Sequence, residues 1–165
     1  MSGDIPAEGS ENGMDAQAPR VQVVGQYIKD LSFENPGAPA NLTFRPQIEL
    51  SVDLQARQVE REHFEVELKL RISAKNEEKP AFLLELVYAG LFQLQNIPDE
   101  VRQQVLLIEA PHIMFPFARR IVADVVRDGG MPPLMIEPID FAALYRAKAM
   151  EMQQMRTGNP GHMDA

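Results

Sequence analysis

The sequence predicts an α+β fold, an antiparallel sheet with helices on one of its faces. Three observations lead there. Ile48, Leu50, Val52, Leu54 and Ala56 alternate with Gln47, Glu49, Ser51, Asp53 and Gln55, and Phe64, Val66, Leu68, Leu70, Ile72 and Ala74 alternate with Glu65, Glu67, Lys69, Arg71 and Ser73. Strict period two marks strands with one face on a core and the other in water, which favours antiparallel pairing. Helical spacing begins only after Pro98, so strands and helices segregate along the chain as α+β folds require. Finally, 45% of the 165 residues are hydrophobic, the content of a globular protein.

In chain order, residues 1–20 are rich in Gly, Ser, Ala, Pro and acids with almost nothing to bury, and are expected to form a disordered acidic tail. The folded body is expected over residues 21–150, with 151–165 as a flexible C-terminal tail. Val21–Glu34 is the first strand, interrupted by Gly25 and stopped by the turn cluster Asn35-Pro36-Gly37. The two alternating segments are the second and third strands. A turn at Asn76–Pro80 leads to the fourth, Ala81–Phe92. Its faces are Phe82, Leu84, Leu86, Tyr88, Phe92 and Leu83, Glu85, Val87, Ala89, Leu91. A strand apolar on both sides needs a second cover, whether a ligand, a flanking loop or another subunit.

Pro98, Asp99 and Glu100 start a helix, since Pro suits the first helical position and acids suit the N-terminal dipole. Val101, Val105 and Ile108 form a short stripe before Pro111. A further helical stretch carries Phe117, Ile121 and Val125 with Ala118 and Val122, and ends near Gly129-Gly130; Pro116 must begin or kink it. Residues 131–138 hold three prolines and cannot be regular. Asp140 caps a last helix bearing Phe141, Leu144, Tyr145 and Ala149.

Composition excludes several functions. Lys and Arg total 16 against 24 acids, a net charge of -8, so nucleic acid and anionic membrane are repelled. Cysteine is absent, which removes disulfides, thiolate nucleophiles and Cys-based metal sites. The N-terminus has no apolar signal core, and the longest apolar run, Leu86–Phe92, falls far short of the roughly 18 residues of a membrane span. A cytoplasmic protein that does not insert into membrane is expected. The three histidines, His63, His112 and His162, are scattered without metal-ligand spacing. Gly129-Gly130 opens no helix that could cradle phosphate, and no serine lies in a nucleophile elbow. No catalytic residue, metal or cofactor is therefore assigned.

Two features remain. Asp30 and Glu34 share parity with Ile28 and Ser32, so on an extended strand they face the same way, and Glu85 projects between Leu83 and Val87. These acids form either a solvated face or a docking patch for a basic partner. Phe44 sits in the connection Asn35–Pro46, and Met131, Leu134, Met135 and Ile136 lie in the second irregular stretch. Large apolar residues on loops either cover the core or wall a groove for extended apolar chain.

Four segments carry a family resemblance. Tyr27-Ile28-Lys29-Asp30-Leu31-Ser32-Phe33-Glu34-Asn35-Pro36 resembles the opening strand of SecB, the bacterial protein-export chaperone family, and Phe82-Leu83-Leu84-Glu85-Leu86 resembles its fourth strand. Pro111-His112-Ile113-Met114-Phe115-Pro116-Phe117-Ala118-Arg119 resembles the entry to its long helix, and Met131–Leu134 with Pro138–Leu144 its closing element. The chain departs from the family pattern at Phe44, often Trp, at Leu84, commonly Cys, and at Tyr88-Ala89-Gly90, which is bulkier.

The resemblance implies a four-stranded antiparallel sheet assembled as a homotetramer, a dimer of dimers with helices sandwiched between two sheets. It implies a holdase that binds unfolded precursor proteins without ATP and delivers them to the export motor SecA. By motif position, SecA docking falls to Asp30, Glu34, Leu83 and Glu85, and the client groove to Phe44, Phe141, Met131 and Tyr145. Two rivals stand beside it: a small enzyme using Asp30, Glu85 or His112 as acid or base, and a structural oligomerisation or adaptor domain without client binding.

Overall fold

The computed structural model describes residues 18–158. The acidic tail expected over 1–20 lies outside them up to residue 17, and the last part of the expected C-terminal tail, 159–165 with His162, lies outside them as well. Four long strands form one antiparallel sheet: β1 (Arg20–Glu34), β2 (Gln47–Gln58), β3 (His63–Asn76) and β4 (Lys79–Gln95), in the order β1-β4-β3-β2. The last three make a meander through short turns. The connection from Asn35 to Pro46, with a 3-10 turn at Ala40–Thr43, crosses to the far edge so that β1 can pair with β4. The strand that is apolar on both faces is thus an inner one.

In β1 the alternation is broken twice, between Val23 and Gly25 and between Ile28 and Asp30. Each bulge inserts one residue and moves those beyond it to the other face. Asp30, Ser32 and Glu34 therefore stand opposite Val87, Glu85 and Leu83 on one face of the sheet, while Ile28 stands opposite Tyr88 on the other. The shared parity expected of Ile28 with the acids is corrected by the bulge at Lys29.

Helix α1 (Asp99–Gln104) passes through a π-helical turn, Val105–Glu109, into α2 (Ala110–Asp128), so the chain stays helical across Pro111 and Pro116. The two helical stretches expected, one before Pro111 and one that Pro116 begins or kinks, are thus continuous. Proline removes one amide donor and crowds the preceding turn, and a π turn widens the ladder where that happens. Met114, Ala118, Val122 and Val126 make the buried seam of α2, whereas Phe117 is 50% exposed and Ile121 and Val125 are half-buried flanks. The core lies between this seam and Val66, Leu68, Leu70, Ile72, Phe82, Leu84, Leu86 and Phe92.

Sheet and helix differ in width. Four strands at a spacing of about 4.8 Å make a surface of roughly 19 Å, and one helix covers about 10 Å of it. Helix α2 packs on β4 and β3. On the same face, Val21, Val23, Ile28 and Leu31 of β1 and Ile48 and Leu50 of β2 stay exposed, as do Ile113 and Phe117 of the helix.

After the irregular residues 131–140, Asp140 accepts a hydrogen bond from the Ala143 amide at 2.9 Å and caps α3 (Phe141–Thr157). This corrects the C-terminal boundary: residues 151–157, expected in the tail, are helical. Ala149 to Arg156 contains only good helix formers, and the first glycine is Gly158. Replacing Asp140 by Ala should destabilise the protein by about 1 kcal/mol and speed amide exchange in the first turn of α3. Unchanged protection there would show that the cap contributes nothing.

Candidate functional site

The helix-free face of the sheet gathers the four residues assigned to docking. Glu34 stands directly opposite Leu83, and Asp30 and Glu85 lie on neighbouring cross-strand pairs of the same face. Among the described residues, Asp30 and Glu34 form no ion pair and are exposed, while Glu85 meets Arg71 Nη1 at 3.3 Å. Leu83, Val87 and Leu91 are half-exposed beside them. The result is an apolar strip with an acidic border. His112 sits on the helical layer, apart from Asp30 and Glu85, where its ring meets Phe141 edge-on at 5.3 Å. Among the described residues, no three acids or histidines are placed to hold a metal ion.

The same face holds a polar cluster that the sequence concealed. Glu65 reads as one more solvent position of β3, yet it is 5% exposed. Tyr27 Oη donates to its Oε2, Lys29 Nζ lies 3.1 Å and Arg57 Nε 2.9 Å from its Oε1, and Lys29 also bonds Glu67. Tyr27 and Lys29 reach β3 from β1 across the intervening β4, where Ala89 is small enough to let them pass. The Tyr27 hydroxyl, then Lys29 and Arg57, hold the Glu65 carboxyl at about 2 against the opposing effect of burial. Burial and the Glu65 carboxylate raise Tyr27 in turn. The sequence signal was the small Ala89 between Val87 and Leu91 on the same strand face.

The residues assigned to the client groove divide between two hollows and the core. The larger, about 560 Å³, runs between the β1–β2 connection (Leu42 to Pro46) and residues 131–134, over a floor of Ile48, Phe82 and Val126. Phe44, 55% exposed, lines it at the rim, and Met131, only 6% exposed and part of the core, lines it from beneath. Tyr145 lines a separate pocket of about 150 Å³ with Leu54, Leu107, Leu144 and Met152, where Lys148 bonds Asp53 at 2.9 Å and lowers its pKa. Phe141 is corrected: it is 0% exposed, packed against Phe115 and His112, and takes part in neither hollow. As first residue after the cap, it anchors α3 to α2. The sequence reading missed Leu42 and Ile48 as groove residues, although apolar residues flanking Phe44 were visible in it.

The family described as preprotein translocase subunit SecB matches residues 14–153. Protein-export protein SecB of Maricaulis maris is 51% identical over 148 residues, covering 88% of this chain and 86% of its own. That of Zymomonas mobilis is 49% identical over 144 residues, covering 86% and 88%, and that of Paramagnetospirillum magneticum 52% over 138 residues, covering 81% and 88%. Among solved structures, a SecB-like chaperone of Mycobacterium tuberculosis, in complex with an antitoxin peptide, is similar in fold with a TM-score of 0.58 at 16% identity, over 73% of this chain and 91% of that one.

Acid sensitivity follows from Glu65. Its folded-state pKa, about 2, lies below the ordinary 4.5, so the unfolded chain takes up the proton first. The stabilisation is complete above pH 4.5 and declines as pH falls towards 2. Urea unfolding of Glu65→Gln should show a shallower loss of stability over that window and a lower midpoint at pH 7. Parallel pH curves for the two proteins would rule the cluster out as a source of acid sensitivity.

Proposed function

The chain belongs to the SecB family and is a chaperone of protein export; on that premise we propose that it is a cytoplasmic, ATP-independent holdase that keeps precursors unfolded and delivers them to SecA. The observation that carries this reading is the open hollow walled by Phe44 and Leu134, because it offers apolar surface without a partner in the chain. Burying client side chains there gains roughly 25 cal/mol per Å² before ordering costs are subtracted. Such contacts read exposed hydrophobicity and no particular sequence. Discrimination then comes from the client: a folded protein has nothing to insert.

Assembly as a dimer of dimers gives the remaining apolar surface an occupant. The exposed row Val21, Val23, Ile28 and Leu31 lies along an edge strand, and Ile113 and Phe117 project from α2. A twofold contact through β1 and a second through the helices would cover both sets, and isologous contacts close without leaving edges. Several grooves on one particle would then hold one long chain, and multivalency of this kind raises apparent affinity by roughly 10²-fold or more.

SecA is assigned to the helix-free face, at Asp30, Glu34, Leu83 and Glu85. The first two carboxylates are free of ion pairs among the described residues, so they are available to cations of a partner. Client and motor would thus use different surfaces, the groove at one end of the helical side and the outer face of the sheet.

Three measurements test these assignments. Light scattering should give a particle of four 18.5-kDa chains; a stable monomer at micromolar concentration counts against the assembly. Phe44→Ala should weaken binding of a denatured precursor by about tenfold and leave the particle mass unchanged, whereas equal binding of the native and denatured precursor contradicts a holdase. Reversing charge at Asp30 and Glu34 should weaken SecA binding by about tenfold with client affinity nearly intact. Loss of both together would mean that the faces are not separate, and absence of client binding altogether would leave an adaptor domain.

A further inference from the structure

Asn41 is 4% exposed, an unusual place for an uncharged amide, and its Oδ1 is buried without a hydrogen-bond partner. Its Nδ2 lies 2.6 Å from Asn35 Oδ1, 3.4 Å from the Ala81 carbonyl and 3.6 Å from Met131 Sδ. Asn35 in turn donates from Nδ2 to the Gly129 carbonyl at 3.0 Å. One amide therefore meets the base of both walls of the 560 Å³ groove, the β1–β2 connection on one side and the chain leaving α2 on the other. The backbone amide of Phe44, in addition, donates to the backbone carbonyl of Asn41 at 3.4 Å, so the turn that the Asn41 side chain anchors leads directly into the rim residue.

The surrounding backbone is built for this approach. A Cβ on Gly37 would come within 2.9 Å of Ala81 Cα, and Gly130, at φ +88°, leaves room that Leu42 fills, its Cδ2 only 2.8 Å from where a Cβ would stand. An unsatisfied buried acceptor is unfavourable, and an apolar side chain of similar shape would avoid it. The amide brings what leucine lacks, two donors that tie Asn35 and Met131 at a fixed separation.

We propose that Asn41 is a positioning residue of the client groove, setting the distance between its walls and the placement of Phe44. The inference rests on the groove being the client site, and it adds a residue that touches no client. Its test is a double-mutant cycle on the full-length protein, with a reduced and carboxymethylated, permanently unfolded polypeptide as the calorimetric probe. Asn41→Leu should lower affinity about fivefold with particle mass and thermal midpoint unchanged. Added to Phe44→Ala it should produce no further loss, and added to Glu34→Lys on the other face it should produce its full loss. A merely structural residue would lower affinity equally in both backgrounds. If Asn41→Leu does not fold, Asn41→Ala, which removes both amide donors without burying a charge, serves in the same cycle. Parent-like binding by the Asn41 variant beside a weakened Phe44→Ala, or losses that multiply, overturns the proposal. Parent-like binding by Phe44→Ala overturns the groove itself and this inference with it.

Discussion

The dimensions of one helix against four strands govern this molecule. A sheet of strands 12 to 17 residues long presents two broad faces, and the single helical layer that follows it in sequence covers the inner strands of one. The apolar row of β1 and the outer flank of α2 are the direct remainder of that mismatch. Surface of this kind, continuous and on regular elements, is stabilised by association.

The other face has no helix at all, and it is held by polar means. The Tyr27–Glu65–Lys29–Arg57 cluster bridges three strands over Ala89 and links the edge strand β1 to β3 without any shared backbone pairing. A carboxylate so thoroughly satisfied is tolerated at near-complete burial, where a lone one is not. The acids at the far end of the same face are different in kind. Asp30 and Glu34 have no ion partners among the described residues and stand beside the half-exposed Leu83 and Val87. One end of the face is thus internally neutralised and the other is left to attract.

The groove arises where neither face is complete. The long crossover needed to carry the chain from β1 to the far edge, and the proline-rich exit from α2, meet at Asn41 over the buried Phe82 and Val126 and leave Leu42, Phe44 and Ile48 exposed along the groove. Loops can wall a site only if something rigid sets their spacing. Here the rigid parts are the end of a helix and the start of a strand, joined through two asparagine side chains.

Periodicity by itself determined the four strands, their wet and dry faces, the capped final helix and the irregular stretch with three prolines, because each depends on neighbours a few residues apart. It also put the acids of β1 on a common face, whereas for Phe44 and Met131, in irregular stretches, it left core cover and groove wall both open. Tertiary structure decided the rest. Strand order, the bulge that sends Ile28 away from Asp30, and the burial of Glu65 depend on what the far side of the sheet brings. Phe141 and Tyr145 occupy one helix and share one pattern, yet one is sealed against Phe115 and the other lines a pocket. A repeat along the chain fixes which way a side chain points, but only the packed neighbour fixes whether anything stands in front of it.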